Sequence, residues 1–587
     1  MRKNGILLLA AVLVSASAAA ETTGPVVVTA TRTPITADDA LASVSVLTRK
    51  DFDDRNPADL SDLLSTLPGV QMDNSGGPGK QTALSVRGTK RVLVLVDGVR
   101  LESATTGTPA VQHIPLSRVQ RIEVVRGPRS TLYGADAVGG VIQIFTRDSG
   151  SYVTAGAGSN STRSLDAGVS RRGDRGGVSV NASTYATDGF DAQTTGNPDA
   201  DGYRNDSVNM QGDYRVTDRV KVSANALRTS GHSEFDGLQT QEDSTEQVLG
   251  GHLDWQATQR WHTRLSVGQS LDDSDNREGG GGRFVTRRNS ASWQNDVYWN
   301  ADNVTTLGVD TYRDRVTSTT AYTETSRRNT GVFLQHQWYG ERTDLLVGGR
   351  WDDNEAYGEN TTGQVSGGYR LTDDLRAYAS WATAFKAPTF NELYYPGYGN
   401  PDLKPQESEN IEAGLKGGGA VTWTASVFRN RVDDFIVIGS DGVSRNIDQA
   451  DIRGVELQAA TVVRGFHLQG NLTLLDPPEA QDGDRLYRRA RRTATASVGH
   501  AIGPVHVTAQ AQYVGDRRDL DFSTYPARAV TLDHYTTLSL SARWAFLPDW
   551  SLTARVDNLT DADYQSVYGY NTAGRTVFAS VSWQPSR

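Results

Sequence analysis

Thr537-Leu-Ser-Leu-Ser-Ala-Arg-Trp-Ala-Phe546 alternates in polarity along its length. Leu538, Leu540, Ala542, Trp544 and Phe546 fall on one face, and Thr537, Ser539, Ser541 and Arg543 on the other. A period of two is the signature of a strand with one apolar and one polar face. The pattern returns in Ser551–Asp557, where Leu552, Ala554 and Val556 oppose Ser551, Thr553, Arg555 and Asp557, and again in Arg376–Trp381 and Thr576–Trp583. A soluble sandwich also alternates, so the surroundings of these strands must decide between the two.

Arg2 and Lys3, the apolar run Ile6–Val14 and the small residues Ala18-Ala19-Ala20 occur in the order of a secretory signal peptide, with cleavage expected before Glu21. The apolar run is too short to cross a bilayer, which takes ~20 residues. Every longer stretch further on is interrupted by charged or amide residues, so no later segment reads as a transmembrane helix. Lipid tolerates only helices and closed barrels, because an unpaired backbone group is too costly there. An exported chain with alternating strands, long polar insertions and Trp and Tyr near strand ends therefore reads as a membrane barrel. Roughly 440 residues shared among ~22 strands give about 20 for each strand with its connection, which suits the plugged 22-strand class.

Before residue 148 the texture differs. Apolar residues come in blocks: Val92–Val96 ends at the turn Asp97-Gly98, Leu60 to Leu67 reads as a helix stopped by Pro68-Gly69, and Val138 to Phe145 as a strand. The expected division is a signal peptide over 1–20, a mixed α+β plug over 21–148 and an all-β barrel over 149–587.

Composition narrows the functions further. The absence of Cys among 587 residues leaves neither a disulfide framework nor a thiolate metal site. Loss of Arg2 and Lys3 with the leader reduces 59 basic residues to 57 against 69 acidic ones, so the net charge moves from −10 to −12. Such a balance disfavours nucleic acid as a partner and suits acid-rich exterior loops. There is no G-x-S-x-G elbow and no H-E-x-x-H pair, and Gly79-Lys80 lacks the Ser/Thr of a phosphate-binding loop, so an enzyme is not expected.

Pro25-Val-Val-Val-Thr-Ala-Thr31 is a β-prone segment just after the leader, followed by Arg32 and Pro34. Such a segment can lend its backbone to the open edge of a partner's sheet, although composition alone favours an ordinary first strand or a frayed terminus. Four plug motifs follow in order: Leu67-Pro-Gly-Val70, Ser85-Val-Arg-Gly-Thr89, Val96-Asp-Gly-Val-Arg100 and Ile122-Glu-Val-Val-Arg-Gly-Pro-Arg129. Tyr133-Gly-Ala-Asp-Ala-Val-Gly-Gly-Val-Ile142 completes the set. On these motifs the sequence resembles the TonB-dependent outer-membrane receptors, and Pro25, Val26, Val27, Val28, Thr29, Ala30 and Thr31 resemble that family's TonB box. Within the family, Ala387-Pro388, Tyr398-Gly-Asn-Pro-Asp-Leu-Lys-Pro405, Leu486-Tyr-Arg-Arg-Ala490 and Val567-Tyr-Gly-Tyr-Asn-Thr-Ala-Gly-Arg575 are similar to the cobalamin (vitamin B12) transporters. The chain departs from the pattern at its end, where Gln584-Pro-Ser-Arg587 follow the aromatic Trp583.

The resemblance implies a monomeric receptor in the Gram-negative outer membrane, bathed in its lipid. It implies cobalamin as the ligand, and TonB with its inner-membrane energising complex as the partner. It places loop-ordering calcium on Asp191, Asn197, Asp199, Asp201, Asp236 and Asp243. An EF-hand there is excluded, since counting from Asn197 the bidentate Glu position falls on Val208. It places ligand contacts on Gln81, Ala83, Lys90, Thr106 and Gly107 of the plug and on Arg488 and Phe522 of the barrel. For Arg488, a lumen arginine paired with an Asp or Glu is the equally weighted alternative. It also joins Arg87 and Arg126 of the plug to Glu412 and Glu456 of the barrel in a buried charge cluster. The competing functions are a siderophore (ferric chelate) receptor, which shares plug, box and energy source, and a passive porin, which would lack the box and leave its lumen open.

Overall fold

The computed structural model describes residues 27–28, 32 and 35–585, apart from 238, 278, 280, 439–442, 477–478, 481–485 and 525. The expected signal peptide, together with Pro25, Val26, Thr29, Ala30 and Thr31 of the box, lies outside the described residues.

The plug begins with two short paired strands, β1 (Val27–Val28) and β2 (Ile35–Thr36). Next come β3 (Val44–Thr48), α1 (Arg49–Arg55) and α2 (Leu60–Ser65), and then a hairpin of β4 (Val70–Asn74) and β5 (Thr82–Val86). It closes with β6 (Val92–Val96), β7 (Val99–Arg100), β8 (Val119–Arg126), α3 (Ser130–Tyr133) and β9 (Gly140–Thr146). Five of these strands form one sheet in the order β3-β8-β9-β6-β7. Strand β6 is parallel to β9 and buried along its whole length, which explains its unbroken Val-Leu-Val-Leu-Val run. It turns into β7 through Asp97 and Gly98, both at positive φ. One face of the sheet packs on Leu60, Leu63 and Leu64, which share one side of α2. That helix starts where Asp59 accepts a hydrogen bond from the Asp62 N–H at 2.8 Å, and ends before Pro68. Strand β9 starts two residues later than its apolar run implies, because Gly140 enters it at φ +145, a conformation that L side chains rarely adopt.

From Tyr152 to Trp583 the chain runs as 22 antiparallel strands, each paired with its sequence neighbours, and closes where Tyr152–Gly158 pairs with Thr576–Trp583. The alternation now has a physical meaning. Leu538, Leu540, Trp544 and Phe546 point outward and are exposed, whereas Ser541 faces the lumen and is buried. One end of the barrel carries tight turns such as Gly173 to Gly176 and Asn300 to Asn303, and the other carries long loops such as that from Lys386 to Gln406. Tight turns belong to the periplasmic end of such barrels. Trp255, Trp261, Trp299, Trp338, Trp544 and Trp550 all stand outward near those turns, forming one interfacial aromatic belt. Trp583 is the last residue of the last strand, so the strand does finish on an aromatic residue despite the tail beyond it.

Leu540 sits near the middle of its strand on the lipid face. Leu540→Arg should therefore lower barrel stability by about 2–4 kcal/mol, read from urea unfolding in micelles or bilayers. An unchanged midpoint would show that this face does not meet lipid.

Candidate ligand and coupling sites

Arg87 follows β5 at positive φ, and its guanidinium is held by two barrel carboxylates. Nη1 donates to Glu412 at 2.7 Å and Nη2 to Glu456 at 2.8 Å, with Phe428 stacked 4.3 Å from the guanidinium carbon. Arg126 donates Nε to the same Glu456 at 3.1 Å and Nη1 to Ser45 at 2.7 Å. Tyr378 and Ser43 donate to Glu412 at 2.7 and 2.8 Å. All four charged side chains of this cluster are buried. Glu456 explains the glycine of the Pro68-Gly69 pair, since a Cβ at Gly69 would run into its Oε1. The structure thus brings together Arg87, Arg126, Glu412 and Glu456, residues far apart in sequence, into one seat for the plug.

The coupling segment is also seated. Val27 pairs with Thr36 and Val28 with Ile35, so the described part of the β-prone box already has a partner strand. Arg32, in the connection between them, lies over the rings of Tyr133 and Phe333 at 4.7 and 4.6 Å. It donates to Asp310 at 3.3 Å, and Gln294 donates to its carbonyl at 3.1 Å. Asp310 is shared with Arg350, at 2.7 and 2.9 Å. In the sequence Arg32 shows only as the residue that follows the β-prone segment. Its aromatic and acidic partners are distant in the chain, and no local signal could have named them.

At the opposite end, carboxylate oxygens of Asp191, Asp201 and Asp236 lie within 4.8 Å of one another. Asp201 accepts the Ala192 N–H at 2.8 Å, and Asp236 Oδ1 accepts the Asn197 N–H at 3.2 Å. Asp236 Oδ2 is buried with no hydrogen-bond partner among the described residues. Burial, aided by Asp191 and Asp199, pushes the Asp236 carboxyl above the usual range. Asp199 is exposed, and its N–H donates to the Asn197 carbonyl at 2.8 Å. Asp243 stands apart from the trio, 2.7 Å from His232 and paired with Arg277. Lys80, a residue that sequence reasoning used only to reject a phosphate loop, is buried, and donates to the carbonyls of Asp201 at 3.1 Å and Gly202 at 3.0 Å. It ties the plug apex to the acidic loop.

The expected ligand contacts lie on both sides of this apex. Gln81 is exposed at the end of the β4–β5 hairpin, and Ala83 is half-buried on β5. Burial and the nearby Arg489 bring the Lys90 ammonium down to about 8. Thr106 is exposed, and Gly107 at φ +70 packs against Thr389. Their loop is pinned by α4 (Phe390–Tyr394), where Phe390 N–H donates to Ala104 and Asn391 N–H to Thr105 at 3.0 and 3.1 Å. Arg488 is paired with Asp519 at 2.7 Å, as the alternative reading of it anticipated. Phe522 is 70% exposed at the tip of the external hairpin formed by Arg517–Asp521 and Arg528–Leu532. Lys90 and Arg488 gather around Asp73, whereas Thr106, Gly107 and Phe522 belong to separate loops.

Comparison with known proteins agrees with this architecture. Residues 36–141 match the TonB-dependent receptor plug domain model, and residues 140–559 the TonB-dependent receptor-like β-barrel model. The chain is 32% identical over 582 residues to a protein of Photobacterium profundum named vitamin B12 transporter BtuB, with 95% of each chain covered. It is 31% identical over 591 residues to the Vibrio cholerae protein of that name, again over 95% of each. Among solved structures, the ferric enterobactin receptor PfeA of Pseudomonas aeruginosa superposes with a TM-score of 0.80 at 18% identity, covering 96% of this chain and 100% of that one. The ferric yersiniabactin receptor FyuA of Yersinia pestis does so with a TM-score of 0.78 at 21% identity, covering 94% and 99%. At such identities the structures speak to the fold alone.

Removing one partner from a buried ion cluster strands the others, at a cost of about 3–5 kcal/mol. Glu456→Gln should therefore loosen the plug from the wall and expose it to added protease in the folded barrel. Protease resistance equal to that of the parent protein would remove the cluster from any role in seating the plug.

Proposed function

The chain belongs to the TonB-dependent receptors, the plugged β-barrels of the Gram-negative outer membrane, and on that premise we propose that it imports cobalamin with energy delivered through TonB. The observation that carries this choice of ligand is the near full-length similarity to proteins named as vitamin B12 transporters. Export by the signal peptide of residues 1–20 completes the account.

Capture needs no covalent chemistry. Gln81, Ala83 and Lys90 at the plug apex, Thr106 and Gly107 in the pinned loop, and Arg488 and Phe522 from the barrel loops would receive the corrinoid. Asp191, Asp201 and Asp236 would hold calcium, a hard cation that takes six to eight oxygens. The donor set fits: three close carboxylates, one bearing a buried oxygen without a partner among the described residues. Calcium there would neutralise their repulsion and order the loop that Lys80 ties to the plug. Asn197 and Asp199 are in the same loop, and Asp243 would have to leave His232 and Arg277 to join them.

Release needs the plug to move. Val27 and Val28 are paired within the chain, so TonB can pair with them only after that small strand pair and the Arg32 contacts open. Ligand binding at the apex would favour this opened state, and a pull on the freed segment would displace part of the plug.

Equilibrium binding of cyanocobalamin to the purified protein in micelles tests the ligand. Tight binding is expected with calcium and weaker binding with a chelator. Tight binding indifferent to chelation would discard the loop site, and no binding under either condition would shift the assignment to a ferric chelate. Because the Asp236 carboxyl titrates above the usual range, calcium affinity should be full above that raised pKa and fall as the pH drops through it. Coupling is tested separately by Val27→Pro, which removes a backbone donor. Uptake should be lost with ligand binding intact, and normal uptake would rule out strand pairing at this segment.

A further inference from the structure

Three consecutive barrel strands, Arg283–Asn300, Asn303–Ser318 and Ser326–Tyr339, carry arginines on both faces at one level of the wall. On the lumen side Asp314 accepts from Arg288 at 2.6 Å and from Arg327 at 3.1 Å. One residue away along each strand, Arg287, Arg313, Arg315 and Arg328 lie on the outward face. Arg287 is directly opposite Arg315, and Arg313 is directly opposite Arg328. Like charges directly opposite one another destabilise a strand pair, so two such pairs side by side call for an anion.

The protein itself supplies little of one. Arg287, Arg315 and Arg328 are exposed, and among the described residues their side chains make no hydrogen bond or ion pair. Arg313 reaches only the Ser326 hydroxyl, at 3.4 Å. Beside Arg328, the carboxylate of Glu355 accepts that residue's backbone N–H at 2.8 Å and does not pair with its guanidinium. Outward arginines elsewhere on the wall are treated differently. Arg283 holds Asp273 at 2.7 and 2.8 Å, and Arg429 and Arg453 each hold Asp451 at 2.7 Å.

The height of the patch identifies what it meets. On the periplasmic side of it the same face is apolar and exposed, with Leu307 and Val309 on one strand, Val332 and Leu334 on the next and Trp293 on the third. Trp338 belongs to the periplasmic aromatic belt, and Arg328 lies ten residues from it on the same strand. A tilted strand crosses the hydrocarbon in about 9–11 residues. The four guanidinium groups therefore stand where the headgroups of the outer leaflet begin, with their apolar stems along the lipid boundary.

We propose that Arg287, Arg313, Arg315 and Arg328 form a docking surface for a phosphorylated glycolipid of the outer leaflet. The guanidinium fork matches two oxygens of a phosphate. A headgroup bearing two phosphates serves one like-charge pair with each. The surface is on the outer wall, so it does not depend on which nutrient the lumen carries.

The test uses the full-length protein in uncharged detergent micelles and two probes with the same acyl chains: bisphosphorylated lipid A, and lipid A stripped of both phosphates. Bound lipid is read from native mass spectra across a titration. The parent protein should bind the phosphorylated lipid about tenfold more tightly, as expected for several surface cations on an anionic headgroup. Arg287→Gln combined with Arg315→Gln should remove that preference. Equal binding of the two lipids by the parent protein, or a preference that survives the double substitution, would overturn the proposal. A second measurement separates docking from folding. In lipid-free micelles the double substitution should not lower the urea midpoint, because it relieves a like-charge pair. A lowered midpoint there would mark these arginines as structural and overturn the proposal as well.

Discussion

A peptide N–H or C=O without a partner in hydrocarbon costs several kcal/mol, and the architecture follows from how the strands meet that constraint. Each of the 22 strands is hydrogen-bonded on both sides, and pairing of Tyr152–Gly158 with Thr576–Trp583 removes the last open edge. A ring of that many strands encloses a lumen too wide for its own side chains to fill. The N-terminal domain fills it, and its contacts with the wall decide how it is held.

The plug has an apolar core of its own, yet meets the barrel largely through charge. Besides the Arg87 and Arg126 seat, Glu102 of the plug accepts from Arg288 at 3.2 Å, and Arg288 and Arg327 converge on Asp314 at 2.6 and 3.1 Å. Buried ion pairs contribute little net stability against an apolar interface of the same shape. They do fix position and tolerate water, which an apolar seam would not. A plug displaced and reseated in the way proposed above would be served better by such contacts than by a fused core. Arg32 places the same kind of contact directly beside the segment that TonB would engage.

How much of this the sequence disclosed depends on range. The Leu538–Phe546 alternation and the Asp97-Gly98 turn are local patterns, and both gave the correct element. The Val138–Phe145 run gave the right strand with the wrong start, because Gly140 is forced by a close approach to the Val125 carbonyl that lies outside the pattern. The charge seat was legible only through resemblance, since Arg87 and Glu412 are separated by 325 residues. Arg32 and Lys80 were missed for the same reason: an arginine or lysine shows its charge in the sequence but not its partner. Asp191, Asp201 and Asp236 converge, whereas Asp243 on a neighbouring strand meets His232, a cross-strand pairing that sequence spacing could not rank.

The central claim is energised transport of cobalamin. It is tested most directly by uptake of radiolabelled cobalamin into Gram-negative cells that lack their own receptor, carry this chain in the outer membrane, and either possess or lack TonB. The account predicts accumulation well beyond the surface-bound amount when TonB is present and surface binding alone when it is absent. Equal accumulation in the two strains, or none beyond surface binding when a compatible TonB is present, would contradict it.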